Sequence, residues 1–395
     1  MKYILFCQLF FFSTILFSQC DGRYESEIFN EVNKTIVEYT DVYDWSAFDS
    51  GLDMDIYQPS NDTTTDRPLL IFAHGGTYVA GNKNNPTMVS LCEAFAKRGY
   101  VTVSIQYRLT SALNLILPNA YDIFSQTVLN AVSDMKAAVR FFRKDFFENG
   151  NTYGINPNQI FVGGNSAGAV TAAHLTVIDE NQIPNEFQSY FDLAGGMEGN
   201  SGNFGYSSEV NGAILLAGAI NSVDFIDVDD KPIVSLHAID DNTIFYNCEN
   251  AIGNSSLPIL CGAGEIHNKL NDIGIINDLF TFQSGGHSAP MVNIDNIVIP
   301  FISDFLYQLI CNTSSVEDIY NSSLSAFPNP VKNYLLIKSD KPVYHIVITD
   351  LFGNKLLDMN SNYPINQINT SFLKNGIYFL FNKNDLSSHK LILKK

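Results

Sequence analysis

The chain has 395 residues, of which 46% are hydrophobic, and a formal net charge of -18 at pH 7. That length accommodates one large domain with a smaller companion, or two to three domains, and the apolar content is ample for packed cores. The acidity argues against a nucleic-acid partner, which calls for a basic surface. No Cys/His cluster has zinc-ligand spacing, so neither a metal nor another cofactor is expected.

Residues 1–19 begin Met1-Lys2 and continue as a short apolar run ending in Ser18-Gln19. Charge, apolar core and length are those of a secretory signal peptide. A membrane anchor would need a longer run and a positive flank after it. Gln19 is large for the residue preceding a lipidated cysteine, which argues against a lipid anchor on Cys20. No later segment reads as long and apolar enough to cross a bilayer. Export permits disulfides. Cys248 and Cys261 flank a loop rich in Gly, Asn and Ser and are the expected pair, while Cys20 and Cys311 stay unassigned. Cys92 reads as a buried free thiol in a helix.

Lys34–Tyr43 is β-rich, and Gly51–Tyr57 alternates apolar with polar residues, the pattern of a half-buried strand. After a turn over Gln58–Arg67, the apolar run Pro68–Ala73 reads as a strand buried on both faces and leads into His74-Gly75-Gly76. A helix is expected from about Thr87 to Arg98, then a strand over Val101–Ile105 running into Tyr107-Arg108. A long helix over Ala120–Phe147 carries Ala131, Met135, Ala138 and Phe142 at helical spacing. Ile160-Phe161-Val162 opens the next strand, and small residues after Ser166 open another helix. Residues 179–210 lose periodicity and fill with Gly, Asn and Ser; they are expected to be a structureless insertion, either an active-site lid or disorder. Strands over Ala213–Ala219, Pro232–His237 and Asp278–Gln283, with helices near Ile266–Ile273 and Asn293–Leu309, complete a domain spanning 20–311. Buried strands alternating with helices imply an α/β architecture with a mostly parallel sheet. A polar linker over 312–324 leads to short alternating runs over 325–395, a small all-β sandwich.

Gly164-Asn165-Ser166-Ala167-Gly168 fits G-x-S-x-G at a strand-to-helix turn. A serine at such an apex is strained, and side chains two residues either side of it would collide with neighbouring elements. A serine hydroxyl needs a base within hydrogen-bond reach, and the base needs a carboxylate to hold its tautomer. His287 is the expected base because it alone of the later histidines follows a strand, in a loop after Gly285-Gly286. His237, inside a strand, reads as structural, His267 as a helix-surface residue and His174 as a packing residue. The acid is Asp241 or Asp240, with Asp224 and Asp227 as weaker alternatives from the preceding loop. Ala167 N–H, with Gly75 and Gly76, forms the expected oxyanion hole. His74 is expected to hold that loop, and Tyr78 either lines the pocket or lies on the surface.

His74-Gly75-Gly76, Tyr107-Arg108-Leu109, the run Asp134–Phe141, the run Tyr153–Asn158 and the serine motif stand in an order that resembles α/β-hydrolase carboxylesterases. The group resembled includes hormone-sensitive-lipase-like enzymes and Bacteroidetes feruloyl/acetylxylan esterases, over roughly residues 35–310. The resemblance implies an acid four residues after a strand-end histidine, which favours Asp241 over Asp240, and structural roles for Arg108 and Asp134. Thr77, where many members carry a third glycine, and Ala238, where glycine is usual, depart from the pattern.

In the tail, the run Ala326–Val331, the run Asp350–Lys355, Asn375-Gly376-Ile377-Tyr378 and the final Lys394-Lys395 resemble the C-terminal sorting domain of type IX secretion cargo. That likeness implies export to the outer surface, then release or surface attachment. A carbohydrate-binding sandwich is the alternative, but the tail contains no tryptophan. The whole chain thus reads as a secreted serine carboxylesterase acting through an acyl-enzyme on Ser166, with acetyl or feruloyl esters of polysaccharide as implied substrates. A peptidase of the same fold, or an inactive hydrolase used for surface binding, are the alternatives.

Overall fold

The computed structural model describes residues 20, 22–43, 51–311, 325–327, 331, 333–338, 343–350, 355–361, 365, 367–383 and 388–393. The expected signal peptide, the 312–324 linker and Lys394-Lys395 lie outside the described residues. In chain order the large domain runs β1 (Val32–Tyr43), β2 (Gly51–Pro59), β3 (Arg67–Ala73), α1 (Pro86–Lys97), β4 (Val101–Ile105), α2 (Ala120–Glu148), β5 (Ile155–Asn165), α3 (Ala167–Val177) and α4 (Gln188–Ala194). It continues with β6 (Ala213–Leu216), β7 (Ala219–Ile220), β8 (Ile233–Ala238), β9 (Cys248–Asn250), β10 (Ile259–Gly262), α5 (Ala263–Ile273), β11 (Asn277–Phe282), α6 (Ala289–Val292) and α7 (Ile299–Cys311).

One eight-stranded sheet, ordered β1-β2-β4-β3-β5-β6-β8-β11, forms the centre. β1, β2 and β4 pair antiparallel, and every pairing from β4 to β11 is parallel. Side chains alternate across each strand. Leu69 and Ile71 of β3 and Ile160 and Val162 of β5 join the core beneath α2, α3 and α5. Leu70, Phe72 and Phe161 join the opposite core, beneath α1 and α7. Both faces of the inner strands are therefore dry, which is why they read as unbroken apolar runs. Each such side chain contributes about 1.5–3 kcal/mol by leaving water.

Several expectations change. Gly51–Tyr57 is not half-buried: both sides of β2 are covered, and fully buried Asp55 is neutralised by Lys83 and Lys34. The expected strand Ala213–Ala219 breaks at Ala217, whose φ is 50°. The last helix begins with a π turn at Ile294–Val298. Together with α7 that turn makes an apolar helix, Ile294–Cys311, which meets the length and composition of a membrane span, contrary to the sequence reading. Ile302, Phe305 and Leu306 of α7 pack into the second core.

The 179–210 stretch holds a helix, α4, and its remainder is pinned to α2. Lys136 Nζ donates to Met197 O at 2.5 Å, Arg140 to Glu198 O at 2.8 Å, and Arg143 to Ser207 O at 2.8 Å. These cations stand three and four residues apart on α2 and so share one face. A loop with few apolar side chains is ordered here through its carbonyl groups.

Cys248–Cys261 is a disulfide joining β9 to β10. A second disulfide joins Cys20 to Cys311 at the end of α7, and Cys92 is a buried free thiol. In the tail, β12 (Ser325–Phe327), β13 (Tyr334–Lys338) and β16 (Gln367–Asn369) form one antiparallel sheet. A second contains β14 (His345–Thr349), β15 (Lys355–Asn360), β17 (Gly376–Asn382) and β18 (Ser388–Leu393). Leu335 and Ile337 of one sheet and Ile346, Ile348 and Leu380 of the other share a core, giving the expected sandwich.

Candidate active site

In a parallel sheet the carboxyl ends of the strands open onto one edge. Ser166 follows β5, Asp241 follows β8 and His287 follows β11, so the topology delivers all three to that edge. Ser166 has φ 54° and ψ -121°, a conformation that costs a non-glycine residue on the order of 1–3 kcal/mol and persists only where the surroundings enforce it. The enforcement is visible. Ser166 N–H donates to Leu216 O at 2.8 Å, which ties the apex to β6. A Cβ on Gly168 would lie 2.0 Å from Ala73 O, and one on Gly164 2.3 Å from the same atom. Both motif glycines exist because the turn is pressed against the backbone of β3.

His287 Nε2 lies 2.8 Å from Ser166 Oγ, and His287 Nδ1 lies 2.7 Å from Asp241 Oδ2. An ionised carboxylate only accepts, so Nδ1 carries the proton and Nε2 presents its lone pair to the serine hydroxyl. Asp241 is buried and accepts from four donors. Thr243 N–H and Ile244 N–H reach Oδ1 at 2.8 and 3.0 Å, while His287 and His237 Nε2 reach Oδ2, the latter at 3.2 Å. Burial acts to raise its pKa, but the hydrogen bonds from His237 and His287 outweigh it and hold the carboxyl well below the usual carboxylate range.

His237 is itself fixed. Its Nε2 also donates to Ile244 O at 2.9 Å, and its Nδ1 accepts Ala263 N–H at 3.3 Å, which makes it a neutral ring that orients Asp241. Asp240, the reserve acid, turns elsewhere: its carboxylate accepts the N–H groups of Gly285 and Gly286. Asp224 is exposed beside Ser222, and Asp227 accepts from Gln182; neither shows a bond to His287.

Of the three expected oxyanion donors, Gly75 N–H is already engaged, donating to Asn165 Oδ1 at 2.8 Å. Gly76 N–H and Ala167 N–H find no acceptor among the described residues. The loop between them is braced from below. His74 Nδ1 donates to Gly75 O at 2.7 Å, its ring stacks on Tyr107 with centroids 4.4 Å apart, and Tyr107 donates to His74 O at 2.7 Å. Tyr78 is buried, and its hydroxyl donates to Ala167 O at 2.8 Å. It is therefore neither a surface residue nor one with its polar end free. Thr77 and Tyr78 both have positive φ, 54° and 62°, so Thr77 occupies a conformation that glycine, usual there in the resembled group, would adopt without strain.

Arg108 and Asp134 make a paired contact, Nε to Oδ1 at 2.9 Å, that also gathers Ser201 at 2.8 Å from the guanidinium. His174 is buried, bonded to Val170 O and Asn221 N–H. His267 is buried, not on the helix surface as its place in the sequence suggests, with its Nδ1 2.7 Å from Oδ1 of Asn277, the first residue of β11. Sequence pattern does not single out Asn165, and it marks Tyr78 without its role as a brace on Ala167 O. Asn165 occupies a free position of the motif, and nothing in the chain order marks a side-chain amide as the partner of a residue ninety positions earlier.

Residues 54–210 match the family model described as BD-FAE, and residues 325–394 match that of the secretion system C-terminal sorting domain. The first match contains Ser166 and its upstream glycine loop; Asp241 and His287 lie beyond it. Gut esterase 1 of Caenorhabditis briggsae is 30% identical over 115 residues, 28% of this chain and 18% of that protein. Lipase 1 of Yarrowia lipolytica is 31% identical over 127 residues, 31% of this chain and 24% of that protein. The chain thus matches a quarter or less of the length of these curated relatives. Among solved structures, the propionate-bound esterase Est2 of Thermogutta terrifontis is similar with a TM-score of 0.49 at 20% identity, over 70% of this chain and 94% of that one. The large domain thus has an α/β-hydrolase fold that carries a BD-FAE domain match over residues 54–210, followed by a secretion-system C-terminal sorting domain over residues 325–394.

Proposed function

We propose that this chain is an exported serine carboxylesterase. The observation that carries the reading is the continuous relay from Ser166 Oγ through His287 to Asp241, at 2.8 and 2.7 Å, beside two N–H groups without acceptors among the described residues. Ser166 Oγ attacks the ester carbonyl while His287 Nε2 takes its proton. The tetrahedral oxyanion accepts from Gly76 N–H and Ala167 N–H, with Gly75 N–H held by Asn165 to set the loop. His287 then protonates the leaving alcohol. A water, deprotonated by His287, releases the acid from Ser166. Asp241 stays ionised throughout, because the hydrogen bonds it accepts outweigh the effect of burial.

The resemblance to feruloyl and acetylxylan esterases, over a region that includes the BD-FAE match, supports acetyl or feruloyl esters linked to polysaccharide as substrates. The sorting domain supports transit through the type IX machinery, followed by removal of the tail and release or surface attachment. The test is a panel of acetate, butyrate, octanoate and ferulate esters, alongside a fluorophosphonate probe, on wild type and Ser166→Ala. Hydrolysis and labelling that both vanish in Ser166→Ala support the reading. An unlabelled wild type, or labelling that persists in the variant, overturns it, and cleavage of amides without esters assigns a peptidase.

A further inference from the structure

We propose that Asp240 is a positioning residue for His287, acting through the backbone of its loop while Asp241 acts on its ring. The inference rests on the reading of Ser166, His287 and Asp241 given above. Asp240 Oδ2 accepts Gly285 N–H at 3.1 Å, and Oδ1 accepts Gly286 N–H at 2.8 Å. Both glycines are in the left-handed region, with φ 114° and 58°. Two successive glycines leave a loop free to reach many other conformations, because neither carries a Cβ to forbid them. The N–H groups entering the 3-10 turn Gly286–Ser288 have no acceptor inside that turn. Asp240 supplies acceptors to two adjacent N–H groups with one carboxylate, and so fixes two peptide planes directly before His287.

The clamp also has a rigid anchor. Ile239 N–H donates to Phe282 O at 3.0 Å, which joins the end of β8 to the end of β11 one residue before Asp240. From that junction Asp240 reaches the loop and Asp241 reaches the ring, so consecutive carboxylates hold the histidine by main chain and side chain. Asp240 is exposed, so its removal creates no core cavity and is expected to leave the fold intact while freeing the loop. Misplacing a reacting group by an ångström costs on the order of a hundredfold in rate, so a loosened loop costs turnover and not substrate binding.

The experiment compares the full chain with Asp240→Ala and Asp240→Asn. In Asp240→Ala, kcat on a reactive ester falls about 10- to 100-fold with KM changed by less than about twofold, and Ser166 labelling slows in parallel. Asp240→Asn keeps one acceptor oxygen and falls between wild type and Asp240→Ala. Backbone amide exchange of residues 285–288 accelerates in Asp240→Ala while Tm moves by less than about 2 °C. A kcat within about twofold of wild type overturns the proposal, as does an activity loss matched by a drop in Tm of about 10 °C, which would make Asp240 a fold residue. If the wild type neither cleaves esters nor labels, the hydrolase reading fails by itself. The exchange measurement then decides the clamp alone: unchanged exchange in Asp240→Ala overturns it, and faster exchange upholds it.

Discussion

The Tyr78 hydroxyl donates to Ala167 O at 2.8 Å, joining the loop that offers Gly76 N–H to the turn that offers Ala167 N–H. Burial pushes its pKa up, so it remains a protonated donor. Thr171 Oγ1 also donates to Ala167 O, at 3.0 Å, so removing the tyrosine hydroxyl does not orphan that carbonyl. Tyr78→Phe is therefore expected to cost only about 1 kcal/mol of stability. Its larger effect is on the spacing of the two proposed oxyanion donors, with kcat down about tenfold and KM little changed. Steady-state kinetics beside a denaturant melt check this; equal losses in kcat/KM and in folding free energy would refute the brace.

Gly168→Ala tests the packing of the elbow. The added methyl would lie 2.0 Å from Ala73 O and 2.5 Å from Ala73 C, and backbone atoms of a central strand cannot move aside. The helix around position 168 ordinarily prefers alanine to glycine by about 1 kcal/mol. The clash reverses that preference, and a loss of roughly 3 kcal/mol or more is expected. Thermal melts of the variant and wild type decide it: a variant as stable as wild type would mean that α3 does not press on β3 in this way.

What could be read from the chain alone follows from where the information lies. Asp241 is favoured over Asp240 only through the family resemblance, whereas the glycines of the serine motif and the unbroken apolar strands are local patterns in the chain, each with a steric or burial cause. The Cys20–Cys311 bridge has none, since its partners are 291 residues apart and neither sits in a distinctive context. The 195–210 loop reads as structureless because its order comes from Lys136, Arg140 and Arg143 on another element, which no pattern within the loop itself announces. The choice between Asp240 and Asp241 was likewise open to spacing alone. One extra bond along the chain decides which carboxylate meets the ring and which meets the loop.

Two buried histidines make stability depend on pH. His174 donates from Nδ1 to Val170 O and accepts Asn221 N–H at Nε2, a pattern only the neutral ring can make. Asn277 Nδ2 donates to Asn271 and Ile275 O, so its Oδ1 faces His267 and takes the proton on Nδ1. Burial pushes both pKa values down to about 4, from an ordinary value of 6.5. Between those limits the unfolded chain binds more protons, so stability falls as pH drops from 6.5 towards 4, by up to about 3 kcal/mol per histidine. Asp230 opposes this: burial pushes its carboxyl up to about 7, so the folded state holds a proton that the unfolded state releases. Its partial exposure makes that the smaller slope. Urea midpoints are expected to be lower at pH 5 than at pH 7.5, with a shallower dependence in His174→Gln. An identical slope in the variant would exclude His174 as a source.

The two disulfides should differ in what they contribute. In the chain-entropy account, a bridge restrains the unfolded state more as its loop lengthens. Cys248–Cys261 closes 13 residues and would contribute about 3 kcal/mol, whereas Cys20–Cys311 closes 291 and would contribute roughly 5 kcal/mol. The long bridge also fastens the start of the described chain to the last turn of α7, against a core that includes Tyr24, Phe95 and Ile310. Losing it frees both ends of the domain at once. Cys20→Ser with Cys311→Ser is expected to lower Tm by about 10 °C, and Cys248→Ser with Cys261→Ser by about half as much. Mild reductant should reproduce the sum in wild type and have no effect on the quadruple variant. Differential scanning calorimetry with and without reductant makes the comparison, and a Tm for Cys20→Ser/Cys311→Ser equal to that of wild type would show that the ends of the domain are held by packing alone.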